Sequence, residues 1–131
     1  MASTIQSVSP PPQRSPRQLN ADAVFRAFSD RTRLRILHLL RQGEWCVNDL
    51  LRVLHVPQPT ASRHLAYLRR VRLVVARKHG QWVYYSLAPA RRSFHRKLLA
   101  CLGSCFEEVP EIRHDTARAA KVRHSGGCCN P

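Results

Sequence analysis

The pattern of apolar and polar positions between residues 47 and 70 predicts two short helices joined by a tight turn. The first helix has apolar residues at positions i, i+3, i+4 and i+7, which share one helical face. These residues are Val47, Leu50, Leu51 and Leu54. Pro57 then ends that helix, because a proline disfavours helical geometry at the residue before it. Pro59 suits the first turn of the second helix, where no backbone N–H is required.

The second predicted helix has one side suited to a core and one suited to reading DNA. Its apolar side consists of Ala61, Leu65 and Leu68. Its polar side carries short hydrogen-bonding groups, a histidine and an arginine, which match the donors and acceptors of base edges in the major groove. These residues are Gln58, Thr60, Ser62, Arg63 and His64. An ordinary helical hairpin with a solvated polar face has the same pattern.

Two more helices are predicted ahead of this pair. Asn20 can cap a first helix that ends near Phe28. Asp30 starts a second helix that ends near Arg41. Residues 44–46 are interpreted as a short extended link into the central pair.

After residue 70 the apolar period changes from helical to alternating, which predicts a β-hairpin. Its strands are Leu73–Arg77 and Gln81–Leu87, and Gly80 supplies the positive φ of the turn. Helix, turn, helix and hairpin together predict a mostly α winged helix-turn-helix fold. The tip of the hairpin and the end of the second central helix are expected to hold DNA, mainly at phosphates. Those residues are Lys78, His79, Gln81, Arg69 and Arg70.

A last long helix is predicted from Pro89 to about Glu108. It carries one continuous apolar stripe at positions i, i+4, i+7, i+8 and i+11. The stripe consists of Phe94, Leu98, Cys101, Leu102 and Cys105. In a small domain, a terminal helix with its own stripe usually pairs with a second copy. We therefore expect a homodimer formed through the first and last helices.

The chain is expected to divide into three parts. Residues 1–18 are rich in serine, proline and glutamine and are expected to be a disordered arm. Residues 19–109 are expected to form the winged helix-turn-helix domain, with the DNA-binding and dimerisation surfaces. Apolar density falls over residues 110–131, which predicts a flexible C-terminal tail.

The charge distribution indicates a polyanionic partner. The 131 residues include 22 Lys+Arg and 8 Asp+Glu, a net charge of +14. No acidic residue occurs between Asp49 and Glu107, and a folded segment with charges of one sign favours a polyanion. Nucleic acid fits better than a membrane surface, because the chain has no long basic amphipathic helix with bulky apolar anchors.

The composition also argues against several classes of protein. The sequence has no apolar run long enough to span a bilayer and no apolar core of a signal peptide at its N-terminus, so a cytoplasmic protein without a membrane partner is expected. In that compartment the five cysteines are expected to be reduced thiols. The sequence has no cluster of acid, base and nucleophile, which argues against an enzyme, and no organic cofactor is expected.

Several motifs, in the same order along the chain, resemble the arsenic-repressor (ArsR/SmtB) family. They are Phe25–Asp30, Thr32–Leu37, Glu44–Leu50, Ser62–Leu65 and Gly80–Tyr85. The resemblance covers roughly residues 20–109, and the ordered set is far more specific than any one motif. It implies a homodimeric winged-helix repressor on an imperfect inverted repeat of double-stranded operator DNA, which leaves the DNA when a metal or metalloid binds.

The chain departs from that family's metal-binding motifs. Asn48 stands where arsenite-responsive members often carry the second cysteine of a Cys-Val-Cys site, so only Cys46 of that pair is present. Other members hold zinc on the last helix with Asp and His ligands. Here that helix has His95 but no acidic residue before Glu107, so a zinc site is not expected there.

Two cysteines of the last helix supply further thiols for a metalloid. Cys101 and Cys105 are four residues apart, so both side chains project from one helical face. Thiolates bind soft centres, here As(III) or Sb(III), and Cys46 would be the third sulfur. Packing of small apolar side chains is the alternative for these positions. Cys128 and Cys129, adjacent in the predicted tail, are the less favoured thiols.

The predicted function is repression of an arsenic-resistance operon, relieved when As(III) or Sb(III) binds cysteine thiolates. A repressor of the same fold that senses thiol oxidation or persulfide through Cys101 and Cys105 is one alternative. A nucleic-acid-binding protein without a sensing role, in which the cysteines only pack, is another. Release from DNA by arsenite but not by mild oxidation distinguishes the first reading from its rivals.

Overall fold

The structure, a computed structural model, describes residues 21–90, 93–104 and 108–126, which contain helices and three short strands. The helices within these ranges are α1 (Ala21–Phe28), α2 (Arg31–Leu40), α3 (Val47–Leu54), α4 (Gln58–Arg70), α5 (Ser93–Ser104) and α6 (Pro110–His124). The strands are β1 (Trp45–Cys46), β2 (Val74–His79) and β3 (Trp82–Leu87). The predicted arm over residues 1–18 lies outside the described residues. None of these helices is long and apolar enough to cross a bilayer.

The start of α2 is determined by a side-chain cap. Asp30 has an extended backbone, and its carboxylate accepts a hydrogen bond from the Arg33 backbone N–H at 2.9 Å. This bond satisfies one of the N–H groups that have no partner within the helix. The predicted start of the second helix at Asp30 is confirmed.

The turn between α3 and α4 follows the two prolines of the sequence. His55 ends α3 in the left-handed conformation (φ 54°), and its N–H donates to the Leu51 carbonyl at 3.1 Å. Pro57 is extended and precedes α4, and Pro59 lies in the first turn of that helix. The two predicted helices and the turn between them are confirmed, because these signals lie within the turn itself.

The three strands form one antiparallel sheet with the order β1–β3–β2. His79 pairs with Trp82, so the turn of the hairpin consists of Gly80 (φ 62°) and Gln81. The predicted hairpin is confirmed, but β2 is longer than expected because Lys78 and His79 belong to the strand. The short extended link predicted over residues 44–46 is extended at residues 45–46, where it forms β1 beside β3, a pairing that the sequence does not indicate.

The hydrophobic core surrounds α2 and contains apolar side chains from the other helices and from the sheet. Its fully buried members include Ile36, Leu37, Leu39, Leu50, Leu54, Leu65, Leu68, Leu73 and Leu102. Trp45 adds a large buried ring, and its indole N–H donates to the Leu39 carbonyl at 3.1 Å. The indole therefore joins β1 to α2 without leaving a buried donor unpaired.

The C-terminal part of the chain corrects the prediction of a flexible tail from residue 110. Residues 110–124 form α6, which packs against α2 and α3. Its inward face consists of Ile112, Asp115, Ala119 and Val122. These residues recur at a helical spacing, but two are small or charged and most of their neighbours are charged. The apolar density is therefore low even though the inward face is continuous.

Helix α5 also differs from its prediction. It begins at Ser93 rather than Pro89, and Cys105 lies outside the described residues. Phe94, at the head of the predicted stripe, is 37% exposed, whereas the neighbouring His95 is only 2% exposed. The inward face is therefore rotated from Phe94 towards His95 and Leu102.

Burial of His95 makes the stability of the fold sensitive to acid. Burial lowers the pKa of this imidazole, and its Nε2 has no hydrogen-bond partner among the described residues. Below the ordinary histidine pKa of about 6.5, the unfolded chain therefore binds a proton that the folded chain resists. The free energy of unfolding should therefore decrease as the pH decreases from 7 to 5, so the folded chain becomes less stable.

Between pH 7 and pH 5, the free energy of unfolding should decrease less in the variant His95→Leu than in the parent, because leucine cannot be protonated. Urea unfolding at the two pH values measures this difference. His124→Leu, at an exposed position of α6, is the control and should keep the parental pH dependence. Equal losses in His95→Leu and the parent would contradict this assignment.

Candidate nucleic-acid interface and cysteine positions

Helix α4 separates a buried side from an exposed polar side, as the sequence predicts. Ala61, Leu65 and Leu68 are buried in the core. The exposed side chains are Gln58, Ser62, Arg63, Arg69 and Arg70, and Thr60 is half-buried. The exposed residues run along the whole helix, so hydrogen-bonding groups at its start and arginines at its end share one accessible surface.

His64 does not lie among those exposed residues, although the sequence predicts it as a DNA-reading side chain. Its Nδ1 is 3.4 Å from Arg33 Nη1, and its Nε2 is 3.7 Å from Asp30 Oδ2. Burial lowers the pKa of His64, and the nearby Asp30 opposes that effect. The ring therefore connects α4 to the start of α2. No signal within α4 indicates this, because the contact depends on how the two helices pack.

Arginines from two helices flank the Tyr67 ring near the end of α4. The guanidinium of Arg33 lies 4.5 Å from the ring centroid and that of Arg70 lies 5.6 Å from it. The Tyr67 hydroxyl donates to the Ala23 carbonyl at 3.3 Å. These cation–π contacts orient Arg70 while leaving it exposed, which suits an arginine that contacts DNA phosphates.

The wing, β2 and β3 with their turn, presents exposed polar residues at its tip. Lys78, His79 and Gln81 are exposed there, as predicted. Arg77 is different, because it makes two hydrogen bonds to the Glu44 carboxylate, at 2.7 and 3.1 Å, and lies over the Tyr84 ring. Hydrogen bonding to Arg77 lowers the pKa of Glu44. The charge of Arg77 is thus balanced within the protein, whereas Lys78 is exposed and has no ion pair with another residue that the structure describes.

The cysteines that the structure describes lie in two different places. Cys46 is 3% exposed, pairs with Tyr84 in the sheet and directly precedes α3. It is disulfide-bonded, which differs from the reduced thiol that the sequence predicts. Cys101 is half-buried on α5 and is not in a disulfide, so the two are not joined to each other.

Three predicted ligands, Cys105, Cys128 and Cys129, lie outside the described residues. Among the residues that are described, no three His, Cys, Asp or Glu side chains are grouped closely enough to hold a metal ion. The predicted set of Cys46, Cys101 and Cys105 therefore stays a prediction.

The C-terminal end of α6 contacts the chain immediately ahead of Cys46. The Arg123 guanidinium donates to the Glu44 carbonyl at 3.1 Å and lies 4.0 Å from the centroid of a Trp45 ring. Sequence reasoning missed this contact because it treated residues 110–131 as a tail. The inward-facing residues of α6, at i, i+3, i+7 and i+10, were a signal that could have been found.

Comparisons with known proteins identify relatives of this chain. Residues 30–75 match the family described as "Bacterial regulatory protein, arsR family". The arsenical resistance operon repressor of Escherichia coli (strain K12) is 42% identical over 109 residues, which is 82% of this chain and 93% of that protein. The arsenic resistance transcriptional regulator ArsR1 of Pseudomonas putida is 46% identical over 72 residues, 54% of this chain and 56% of that protein. Among solved structures, reduced HlyU from Vibrio cholerae N16961 has a TM-score of 0.59 and 32% identity, covering 67% of this chain and 90% of that chain.

The order of α3, turn, α4 and wing, with exposed basic residues on α4 and the wing, defines a winged helix-turn-helix DNA-binding protein. The chain belongs to the arsR family of bacterial regulatory proteins. It is a transcriptional repressor of that family and not an enzyme. Regulators of this family bind operator DNA, and the predicted winged helix-turn-helix fold and the resemblance are confirmed, while the homodimer stays a prediction.

Replacement of exposed arginines should separate base reading from phosphate binding. The operator here is the duplex that the wild-type protein enriches from a random pool. Arg63→Ala should weaken operator binding by about 1–3 kcal/mol more than binding to random duplex, because the lost side chain would contact base edges. Arg70→Ala should weaken both by similar amounts and reduce the salt slope by about 1, because it would remove a phosphate contact.

Fluorescence anisotropy titrations at several salt concentrations measure both affinities. If the two variants lower operator and random binding in the same proportion, α4 does not read bases through Arg63.

Proposed function

We propose that this protein represses an arsenic-resistance operon and leaves its operator when As(III) binds cysteine thiolates. The observation that carries the proposal is the position of Cys46, which directly precedes the first helix of the helix-turn-helix. A ligand bound there can change the orientation of α3 and hence of α4. The 42% identity to a protein named for repression of an arsenical resistance operon supports the choice of arsenic. Sb(III) shares the preference for thiolates and is the second inducer.

The proposed repressor is a homodimer, formed through α1 and α5, on an inverted repeat. Phe25 of α1 is 54% exposed and Phe94 of α5 is 37% exposed. Their ring centroids are 5.5 Å apart in an edge-to-face arrangement, so the two helices share one exposed aromatic surface. A second copy would cover this surface and place two α4 helices on half-sites roughly 34–36 Å apart.

The first proposed ligand set is the one that the sequence predicts, Cys46 with Cys101 and Cys105. The last two are four residues apart in the sequence, a spacing at which two thiolates on one helix would bind one soft centre. Binding would then connect α5, in the proposed dimer surface, to the chain ahead of α3. This set couples the inducer to the distance between the two reading helices.

A second ligand set, Cys46 with Cys128 and Cys129, is supported by the contacts of Arg123 with residues 44 and 45. Cys128 is five residues beyond Arg123, and an extended chain of that length spans at most about 18 Å. A chain of that length, starting from Arg123 beside residues 44 and 45, would allow the adjacent cysteines to reach Cys46. In this set the inducer acts on α3 through α6 rather than through α5.

Release from DNA requires that the inducer bind the two shapes of the repressor differently. By linkage, the free protein must bind As(III) more tightly than the DNA-bound protein, by the same factor by which As(III) weakens operator binding. Such factors are typically about 5–150. A single shape with equal affinity for both ligands would give no induction.

A thiol-redox repressor of the same fold is the second candidate, and the disulfide at Cys46 favours it. In that case oxidation, rather than As(III), would change the shape of the chain ahead of α3. Arsenite added to the reduced protein and diamide added without arsenite distinguish the two. Release by diamide alone, with no response to arsenite, would replace the proposed function by this one.

Serine variants of the cysteines test the proposed inducer site. Reduced Cys46→Ser should bind the operator like the parent and show little release by arsenite, because both ligand sets require its sulfur. Cys101→Ser should be unresponsive if α5 supplies the other ligands, and the Cys128→Ser, Cys129→Ser double variant should be unresponsive if the C-terminus supplies them. Anisotropy of labelled operator during an arsenite titration measures release.

The two ligand sets make opposite predictions, so each serves as the control for the other. A parental response in Cys46→Ser would contradict the proposed site in both forms. Arsenite release from the parent together with normal release from every serine variant would place the inducer elsewhere.

A further inference from the structure

A buried carboxylate on α6 joins two arginines that lie on different helices. Asp115 is 0% exposed, and its Oδ2 accepts from Arg35 Nε at 2.7 Å while its Oδ1 accepts from Arg35 Nη2 at 2.9 Å. Oδ1 also accepts from Arg118 Nη2 at 2.9 Å. Hydrogen bonding to Asp115 raises the pKa of Arg35, so this guanidinium stays charged. The planar two-point contact gives Arg35 one defined orientation.

Both arginines use their remaining donors on the last carbonyls of α3. Arg35 Nη2 donates to the Leu54 carbonyl at 2.7 Å, and Arg118 Nε donates to the Val53 carbonyl at 2.7 Å. The final carbonyls of a helix lack partners within it, and positive charge is favourable at that end. Val53 and Leu54 are buried, so the guanidinium N–H groups provide these carbonyls with the hydrogen bonds that water would otherwise make.

These carbonyls stand next to the turn that aims α4. Leu54 is followed by His55 in its left-handed conformation, and α4 begins at Gln58. Only three residues therefore separate a carbonyl held by Arg35 from the helix that carries the exposed side chains of the interface. A shift of the α3 terminus would be passed to α4 with little chain to absorb it.

We propose that Asp115, through Arg35 and Arg118, is a positioning device for the reading helix: it holds the end of α3 so that α4 meets the DNA in one orientation. Asp115, Arg35 and Arg118 are positioning residues and do not contact the bases. The inference rests on the proposal that α4 reads the operator. It assigns a role to α6, which lies beyond residues 30–75 that match the family.

A role in orientation accounts for this arrangement better than a role in stability alone. Buried ion pairs are weak evidence for stability, because the desolvation of the charges offsets most of their attraction. Arg35 and Arg118 do not bond to the carboxylate alone, because each also donates a hydrogen bond to a backbone carbonyl of α3. The common feature of all these bonds is the fixed position of the α3 terminus relative to α2 and α6.

The test uses Arg118→Gln in the full chain, with Arg113→Gln as the matched control. Both variants remove one positive charge from α6, but Arg113 is exposed and makes none of these bonds. Arg118→Gln leaves the two-point contact of Arg35 with Asp115 intact, which favours folding. Affinities for the enriched operator and for a random duplex are measured by anisotropy, and circular dichroism reports the helical content.

We expect Arg118→Gln to weaken operator binding about tenfold and random binding less than twofold. The loss of one charged hydrogen bond corresponds to about this change in affinity, and only operator binding depends on the orientation of α4. Arg113→Gln should change both affinities by one small common factor. A merely destabilised protein would instead lose both affinities together, in proportion to its unfolded fraction. An operator-to-random ratio in Arg118→Gln equal to that in Arg113→Gln would overturn the proposal.

A second variant, Arg118→Lys, keeps the test decisive if Arg118→Gln does not fold. Lysine keeps the charge but cannot donate in the same geometry to both Asp115 and Val53, so its operator-to-random ratio should also fall. A folded Arg118→Lys protein with the parental ratio, or an unfolded one, would show that the bond serves only stability. If Arg63→Ala lowers the ratio and neither Arg118 variant does, this inference fails while the reading role of α4 stands.

Discussion

The buried carboxylate of Asp115 is the constraint on which the arrangement of the helices depends. A charge without water must be paired and hydrogen-bonded, and here two guanidiniums from different helices satisfy it. Because those guanidiniums also reach α3, the pairing determines where α2, α3 and α6 stand relative to one another. The core around α2 supplies the burial, but apolar contacts are not directional. The hydrogen bonds of Asp115 with the two arginines are directional and therefore define the relative orientation of the helices.

The surface predicted to face DNA depends on which basic residues are not paired with a carboxylate or held by backbone carbonyls. Arg77 is balanced by Glu44, and Arg33 is occupied by carbonyls of residues 26 and 27 and by Tyr67. The arginines on the polar side of α4 and Lys78 at the wing tip remain exposed, although Arg70 also contacts the Tyr67 ring. A chain with charge +14 thus uses part of its positive charge for contacts within the protein. The net charge of the chain is therefore larger than the positive charge that is available for binding DNA.

Cys46, the ligand common to both proposed inducer sites, lies at a junction of structural elements. It is buried between the sheet and the start of α3, and the end of α6 contacts the two residues ahead of it. The opposite end of α3 is held by Arg35 and Arg118. Both ends of this helix are therefore attached to α6. A chemical change at Cys46 has a direct structural route to the turn before α4.

The sequence by itself determined the features whose signals are local. Pro57 and Pro59 set the ends of α3 and α4, Asp30 caps α2, and Gly80 turns the wing, so these elements were predicted with nearly their observed bounds. Only the tertiary structure decided that His64 turns towards α2, that residues 45–46 join the sheet, and that residues 110–124 form a packed helix. The physical reason is that each of these depends on a partner distant in the chain, 80 residues away for Arg35 and Asp115, and no local period records such a partner.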